Sequence, residues 1–392
     1  MKKLIAMLLC AAMLLAVAAG CANGSDEPAT DDPAAADAAE NALQAEPGPT
    51  ENENITERGC IIDFENAFYA FAPETVMMTT TGGLTITWEE LFFGLYVSIS
   101  QALDFMGEIT DWNEFLDEGY TIAETVLNMA RDHILWFKAV EYGAALHNVS
   151  LSPDNLEALR EQKDFLIDMY GGLEGLMEFL WFDSGIRSFE LFENVLTATH
   201  LMGSIREHIF GPESMLLTDE QAEEFFAERD DGFMMAKHIL ITSGDDPAGA
   251  RERADEIWER LIEYEGDDIE RYFDELMFEY SEDPGLAHAP QGYLFQYFDM
   301  VPEFSQATSE LEIGQFSQPV ESVHGFHIIF RVPLDLDDIP FSFMNMGHFE
   351  TLRSFAASGL FFDMMDDWFD GLLPNYTEAF NSIVLPEIFM PC

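Results

Sequence analysis

The sequence predicts an α+β fold in which one segment of mixed strands and helices is bracketed by helical sequence. Two apolar runs typical of strands, Met234–Ile241 and Val323–Phe330, both carry histidine. Segments with apolar residues at helical spacing lie between these runs, and similar segments precede Phe233 and follow Pro340. We therefore expect the two runs to pair at the centre of one sheet and to bring their histidines together.

The composition excludes one class of partner. The 392 residues include 74 Asp and Glu against 17 Lys and Arg, a formal net charge of −57. Nucleic acid is not expected as a partner, because binding it requires Lys and Arg to neutralise phosphates. The hydrophobic content of 48% permits a sizeable core, and the length accommodates two or three domains. The acidic excess is expected to keep an apolar-rich chain soluble.

Residues 1–20 are typical of a secretory signal of the bacterial lipoprotein type. Two lysines precede an apolar run, Leu4 to Ala16, that is too short to span a bilayer. Small residues then lead to Cys21, which resembles the cysteine that is lipidated and becomes the mature N-terminus of such proteins. An ordinary cleaved signal is the alternative. Residues 21–55 are rich in Ala, Asp, Glu and Pro, and we expect a disordered acidic linker.

Helix signals are frequent between residues 56 and 231. The capping box Thr87-Trp88-Glu89-Glu90 and the pair Ser152-Pro153 each open a predicted helix. A short hairpin with a Gly82-Gly83 turn is expected over 79–86. Caps and apolar spacing predict helices at 87–106, 122–145, from 153 onward, 173–182, 189–209 and 218–228.

The pattern changes from residue 233 onward. It predicts a strand at 233–241, helices at 248–264, 267–278 and 301–310, and a strand pair near 316–332. A helix is expected again from Gly347 to Leu373, and the tail segment Asn381–Leu385 is typical of a strand.

Two cysteines, Cys60 and Cys392, lie near the ends of the part that is expected to fold. A disulfide between them and two unpaired thiols agree equally well with an exported protein. Neither has Cys or His at the spacing of a metal ligand, so the sequence predicts no metal site.

Five short motifs follow one another within residues 232–333. They are Ala236–Ile241, Tyr280–Pro284, Met300–Phe304, Gly314–Val320 and Gly325–Ile329. In this order and at this spacing they resemble the parvulin family of peptidyl-prolyl cis/trans isomerases. The resemblance covers the whole segment. It implies a parvulin domain with a four-stranded sheet, surrounding helices and an active site on the concave face of the sheet.

The resemblance also implies the roles of particular side chains. Paired central histidines, a carboxylate at a position that holds Cys or Asp in other members, and a hydroxyl form the polar part of the site. Three apolar side chains line a proline pocket. The catalytic residues at these positions are His238, His327, Asp283 and Ser322. The substrate-binding residues are Leu294, Met300 and Phe304.

Isomerisation of an X–Pro bond is chemistry that such a site can perform. The barrier of about 18–20 kcal/mol comes from amide resonance, and no covalent bond is made or broken. The site need only bind the twisted amide more tightly than the planar forms. Ordinary core packing is the alternative for the two histidines. It is also the alternative for Met300 and Phe304, whose i, i+4 spacing would place them on one helix face.

One loop departs from the parvulin pattern. Many members have Gly-Gly-Asp-Leu-Gly before the pocket methionine, whereas this chain has Gln291–Phe295 and a shorter connection to Met300. The placement of Leu294 in the proline pocket depends on this loop. Whether isomerase activity is retained depends on it as well. His324 also stands at a position that is often small or polar.

The flanking sequence resembles exported foldase lipoproteins of the PrsA/SurA type, through Thr87–Glu90, Ala139–Gly143 and the helix with Trp368. In those proteins a mostly α-helical chaperone domain is built from sequence on both sides of an inserted parvulin domain. The implied organisation is a signal peptide at 1–20, a linker at 21–55, a helical chaperone-like domain at 56–231, a parvulin domain at 232–333 and a C-terminal helical return at 334–392.

The resemblance implies an extracytoplasmic prolyl isomerase and foldase that needs no cofactor. Its expected partners are unfolded or proline-containing exported polypeptides, and the membrane through a lipid on Cys21. Two alternatives remain open. One is a non-catalytic holdase with a degenerate parvulin domain. The other is a solute-binding lipoprotein, a class that usually has two α/β lobes rather than one α+β segment.

Overall fold

The computed structural model describes residues 62–117, 119–229, 232–345 and 350–389. The predicted signal peptide, lipidated Cys21, linker and Cys60–Cys392 disulfide lie outside these residues. The described chain forms two units. The first contains the residues up to His208 and those from Asp363 onward, and the second contains Ile209–Phe362. None of the described helices is long and apolar enough to cross a lipid bilayer.

The first unit is mainly helical and includes small antiparallel sheets. In chain order, its elements before the second unit are α1 (Phe64–Phe68), β1 (Val76–Thr80), β2 (Thr85–Thr87), α2 (Trp88–Met106), β3 (Phe115–Asp117), β4 (Tyr120–Thr121), α3 (Ile122–His147), α4 (Pro153–Met169), α5 (Leu173–Ser184) and α6 (Phe189–Phe210).

Side-chain caps set the starts of these helices. The Thr87 hydroxyl accepts a hydrogen bond from the Glu90 N–H, and the Glu90 carboxylate accepts one from the Thr87 N–H at 2.9 Å. A second capping box opens α3, and Ser152 caps α4 with proline at its first position. The predicted hairpin and helices are confirmed, with helix bounds that differ by two residues or fewer.

The second unit is built on one four-stranded sheet. Its elements are α7 (Asp219–Glu228), β5 (Phe233–Thr242), α8 (Pro247–Ile262), α9 (Ile269–Tyr280), β6 (Tyr293–Gln296), α10 (Pro302–Glu310), β7 (Val320–Ser322), β8 (Gly325–Val332) and α11 (Phe341–Asn345). The strand order is β6-β5-β8-β7, and every pair is antiparallel. The α+β class and the four-stranded sheet are therefore confirmed.

The register of the central strands decides which side chains share a face. β5 and β8 pair from Met235↔Val332 to Thr242↔Gly325, which confirms the predicted central pairing. His238 lies opposite Ile329 in this register. Because side chains alternate between the two faces, His238 and His327 lie on the same face. We call this the histidine face.

The opposite face of the sheet is covered by α9. Lys237 is only 3% exposed, and its ammonium lies 2.8 Å from both Glu270 Oε1 and Asp274 Oδ1 of that helix. Phe273 of α9 packs on Phe330 of β8, with ring centroids 5.1 Å apart. Consecutive residues of β5 thus serve different purposes, since Lys237 anchors a helix and His238 faces the other way.

The chain then returns to the first unit through α12 (Leu352–Gly371), β9 (Pro374–Tyr376), α13 (Glu378–Asn381) and α14 (Leu385–Phe389). β9 pairs with β1 and completes the sheet β2-β1-β9. The second unit extends beyond the predicted segment 232–333 on both sides and includes α7.

Three local predictions were incomplete or wrong. The helix predicted from Gly347 begins at Leu352, because the Thr351 hydroxyl accepts from the Ser354 N–H at 3.2 Å. The strand predicted at 381–385 is wrong, since α13 ends at Asn381, residues 382–384 form a turn and coil, and α14 begins at Leu385. β6 was not predicted from the pattern, because its four residues are too few to show a period.

One histidine lies in the core of the first unit. His133 of α3 is 6% exposed, and its ring packs edge-on against Phe93 at 5.3 Å. Its Nε2 has no hydrogen-bond partner among the described residues. Burial lowers the pKa of His133 to about 4. The folded protein therefore holds this ring neutral at pH values where the unfolded chain protonates it.

This histidine predicts a pH-dependent stability. The unfolded chain binds a proton below about pH 6.5 and the folded chain does not, so stability is complete above that pH and falls toward pH 4. The His133 contribution lost between pH 7.5 and 5.0 is about 2 kcal/mol. Urea unfolding of the whole chain and of His133→Leu at both pH values measures it. We expect a smaller pH dependence in H133L but not in the control His208→Ala. Equal dependence in H133L and the unsubstituted chain would contradict this account.

Candidate active site

The central strands place two histidines side by side on the histidine face. The rings of His238 from β5 and His327 from β8 have centroids 5.3 Å apart at an interplanar angle of 80°. Phe304 of α10 meets both rings edge-on, at 5.2 and 5.5 Å. The structure thus brings together three of the side chains that the sequence singled out.

Asp283 lies against His238. His238 Nε2 is 3.3 Å from Asp283 Oδ2, an ion-pair distance when the ring is protonated, although the approach lacks hydrogen-bond geometry. The carboxylate accepts hydrogen bonds from the Tyr293 hydroxyl at 2.7 Å and the Gly285 N–H at 3.2 Å. Burial alone would raise the pKa of Asp283. The His238 ring and the two hydrogen bonds outweigh burial and lower the pKa to about 2. The carboxylate is therefore ionised near neutral pH.

Ser322 and His327 form a second polar pair. Ser322 Oγ lies 2.7 Å from His327 Nε2, and it also accepts from the His324 N–H at 3.1 Å. Burial lowers the pKa of His327 to about 3, and the nearby His238 and His324 act in the same direction. His327 is therefore neutral near neutral pH. Its ring nitrogen and the Ser322 hydroxyl exchange donor and acceptor roles with the tautomer.

Several ring nitrogens of this cluster have no hydrogen-bond partner. Both nitrogens of His238 and Nδ1 of His327 are buried and unpartnered among the described residues. Core histidines that serve packing alone are usually satisfied. The core histidine His133 shares this feature, so the functional interpretation of the pair rests on its position beside Asp283, Ser322 and Phe304.

The predicted apolar residues divide into two groups. Phe304 is 2% exposed and belongs to a cluster with Met234 and Phe295, and Met300 packs against the same cluster. The prediction that Met300 and Phe304 share a helix face is wrong, because α10 begins at Pro302 and Met300 lies in the preceding loop. The two side chains nevertheless contribute to one apolar cluster on the histidine face.

Leu294 lies on the other face of the sheet. It pairs with Met235, whereas Tyr293 pairs with Ala236, two residues before His238. Because side chains of a strand alternate, Leu294 points away from the histidine face and Tyr293 points toward it. The prediction of Leu294 as a pocket residue is therefore wrong.

Sequence reasoning missed Tyr293. Its ring stacks on His238 at a centroid distance of 5.6 Å, and its hydroxyl donates to Asp283. Gly292 precedes it with φ +112°, and a Cβ there would lie 2.9 Å from the Ala236 carbonyl oxygen. That close approach requires glycine where β6 begins. The four residues of β6 are too few to show a period of two, so the sequence pattern gave no signal for Tyr293.

The burial of His327 predicts its protonation state. Since burial lowers its pKa to about 3, the ring should remain neutral from pH 8 down to pH 5.5. Long-range ¹H–¹⁵N NMR spectra of the histidine rings check this, with His327→Gln identifying the signal. We expect constant ¹⁵N shifts of a neutral imidazole over that range. A titration with its midpoint above pH 5.5 would refute the buried, neutral state.

Comparisons with known proteins agree with this geometry. The family described as "Rotamase: PPIC-type PPIASE domain" matches residues 238–332. Foldase protein PrsA of Halalkalibacterium halodurans is 32% identical over 197 residues, which are 47% of this chain and 53% of that protein. Chaperone SurA of Vibrio cholerae is 40% identical over 98 residues, which are 24% and 21% of the two chains.

A solved structure of the peptidylprolyl isomerase PrsA from Bacillus cereus aligns with 76% of this chain and 92% of that chain, at 19% identity and a TM-score of 0.27. This score is too low to support a conclusion. The PrsA alignment above spans about half the length of that curated relative. Residues 238–332 thus match the PPIC-type, or parvulin, family of peptidyl-prolyl isomerase domains, and parts of the chain are similar to the PrsA foldases and SurA chaperones.

Proposed function

We propose that this chain is a peptidyl-prolyl cis/trans isomerase and foldase that assists exported polypeptides outside the cytoplasmic membrane. The observation that carries the proposal is a single cluster within the matched domain. It joins an ionised carboxylate, Asp283, to two histidines and to buried Phe304. The PrsA and SurA relatives, whose names describe a foldase and a chaperone, support the same class of function.

In the proposed mechanism the apolar cluster holds the proline ring through Met300 and Phe304. Amide resonance places partial negative charge on the carbonyl oxygen in the planar forms, and twisting the bond removes part of it. A fixed carboxylate near that oxygen, Asp283, repels the planar forms more than the twisted one. His238 and His327, with Ser322 bound to the latter, keep the polar surroundings oriented. No side chain acts as a nucleophile.

The isomerase activity has a direct test. NMR exchange spectroscopy on an X–Pro peptide should show faster cis/trans exchange with the whole chain present. Asp283→Ala and Met300→Ala should each reduce kcat/KM by about tenfold or more, which corresponds to about 1.4 kcal/mol of transition-state stabilisation. His208→Ala is the matched control, since His208 is exposed and lies in the first unit.

The outcomes separate the two main alternatives. If the unsubstituted chain leaves the exchange rate unchanged, the isomerase proposal is wrong. If it still suppresses aggregation of a refolding client under those conditions, the chain is a holdase with a degenerate parvulin domain.

We propose that the sequence on either side of residues 232–333, within 56–231 and 334–392, supplies the chaperone part. Exposed aromatic side chains of the first unit are available for contact with apolar segments of unfolded chains. Phe105, Phe182 and Tyr69 are 89%, 69% and 63% exposed. The clients are unfolded or proline-containing exported polypeptides.

We further propose that a lipid on Cys21 anchors the protein to the outer side of the membrane. In cells that process lipoproteins, mass spectrometry should find a diacylglyceryl group on Cys21, and the protein should sediment with membranes. Cys21→Ser should lose the lipid and release the protein, while Cys60→Ser should change neither. Sedimentation of C21S with membranes as complete as that of the unsubstituted chain would overturn the anchor.

A further inference from the structure

We propose that Tyr293 is a positioning residue of the isomerase site, which fixes the Asp283 carboxylate beside His238 through its hydroxyl and its ring. This inference rests on the proposed isomerase function. It assigns a residue that acts through Asp283 and does not itself touch the reacting amide.

The contacts of Tyr293 are directed at two different site residues. Its hydroxyl donates to Asp283 Oδ2 at 2.7 Å, the same oxygen that lies 3.3 Å from His238 Nε2. Its ring stacks on the His238 ring at 5.6 Å and 22°. One side chain therefore contacts both Asp283 and His238, which restricts the carboxylate to one orientation.

The surrounding backbone leaves space for this contact. A Cβ on Gly285 would clash with the Tyr293 hydroxyl oxygen. Only glycine therefore fits at this position while the hydroxyl reaches Asp283. The Gly285 N–H binds the other carboxylate oxygen, Oδ1. Both oxygens of Asp283 are thus held, one by β6 and one by the loop that carries the carboxylate.

The charges around Asp283 explain why this anchoring matters. Among the described residues, the titratable groups that face the carboxyl are His238 from β5 and Tyr293 from β6, with His327 of β8 further away. Burial disfavours the charged carboxyl, and the hydroxyl counteracts burial. Burial, and after it the contact with Asp283, raises the pKa of Tyr293 above its ordinary value, so the phenol stays protonated as a donor.

Tyr293→Phe tests the role, because it keeps the stacked ring and removes only the hydroxyl. We expect kcat for X–Pro exchange at pH 7 to fall about tenfold with KM little changed, as expected when a hydrogen bond to a charged group is lost. Asp283→Asn should lower kcat at least as far. Adding Tyr293→Phe to Asp283→Asn should then have almost no further effect. Tyr297→Phe is the matched control, since that hydroxyl binds Gln306 instead.

A second measurement does not depend on activity. The ring ¹³C shifts of Tyr293, followed by NMR from pH 8 to 11, should show less ionisation in the unsubstituted chain than in Asp283→Asn. If the two titrations coincide, Tyr293 does not act through Asp283. The same conclusion follows if kcat of the double variant falls by the product of the two single effects. If the unsubstituted chain fails to catalyse exchange while the tyrosine titrations differ, the proposed function fails and the Tyr293–Asp283 contact stands.

Discussion

The pairing of β5 with β8 is the constraint on which the rest of the second unit depends. These two strands are central in the sheet, and their register runs from Met235↔Val332 to Thr242↔Gly325. At the end of this ladder a Cβ on Gly325 would clash with the Ile241 carbonyl oxygen, so the strands can close only around a glycine. The pairing sets the two histidines on one face and, through β5–β6, adds Tyr293 beside them.

The same register separates two kinds of buried polar group. Lys237 and His238 are neighbours in sequence, yet the first is neutralised by Glu270 and Asp274 on one face and the second meets Asp283 on the other. A slip by one residue would exchange them and leave a buried ammonium in the aromatic cluster. The two networks therefore favour the same register. If the strands slipped, Lys237 would lose its carboxylate partners and Asp283 would lose His238, so each network would leave a buried charge unpaired.

The sequence predicted most helices because their signals are local. Thr87, Thr121 and Ser152 act within the first turn that follows them, so neighbouring residues suffice to locate the helix start. The convergence of His238 with His327 was also predictable, because two apolar strand-like runs carry them and such runs pair.

The remaining predictions failed for different reasons. The face of Leu294 depends on the register of a four-residue strand, which no periodicity could reveal. The position of Met300 outside α10 depends on where the helix begins, at Pro302. The tail segment has β-branched residues, yet one short helix ends in it at Asn381 and another begins at Leu385. For Leu294 a tertiary pairing decided between local alternatives, whereas for Met300 the proline at the first position of α10 did.

The pairing of β1 with β9 has a consequence for the order in which the chain is completed. Met78 lies opposite Tyr376, and the Asp63 N–H donates to the Phe389 carbonyl at 2.9 Å, so the first unit joins the beginning and end of the described chain. The second unit is contiguous and is complete in sequence first. A chain that emerges from its N-terminus can therefore form the four-stranded sheet of the second unit while the first unit still lacks its last strand. Closing so long a loop is slow, because it costs chain entropy. Once the second unit has folded, less flexible chain remains between the two parts of the first unit that must meet.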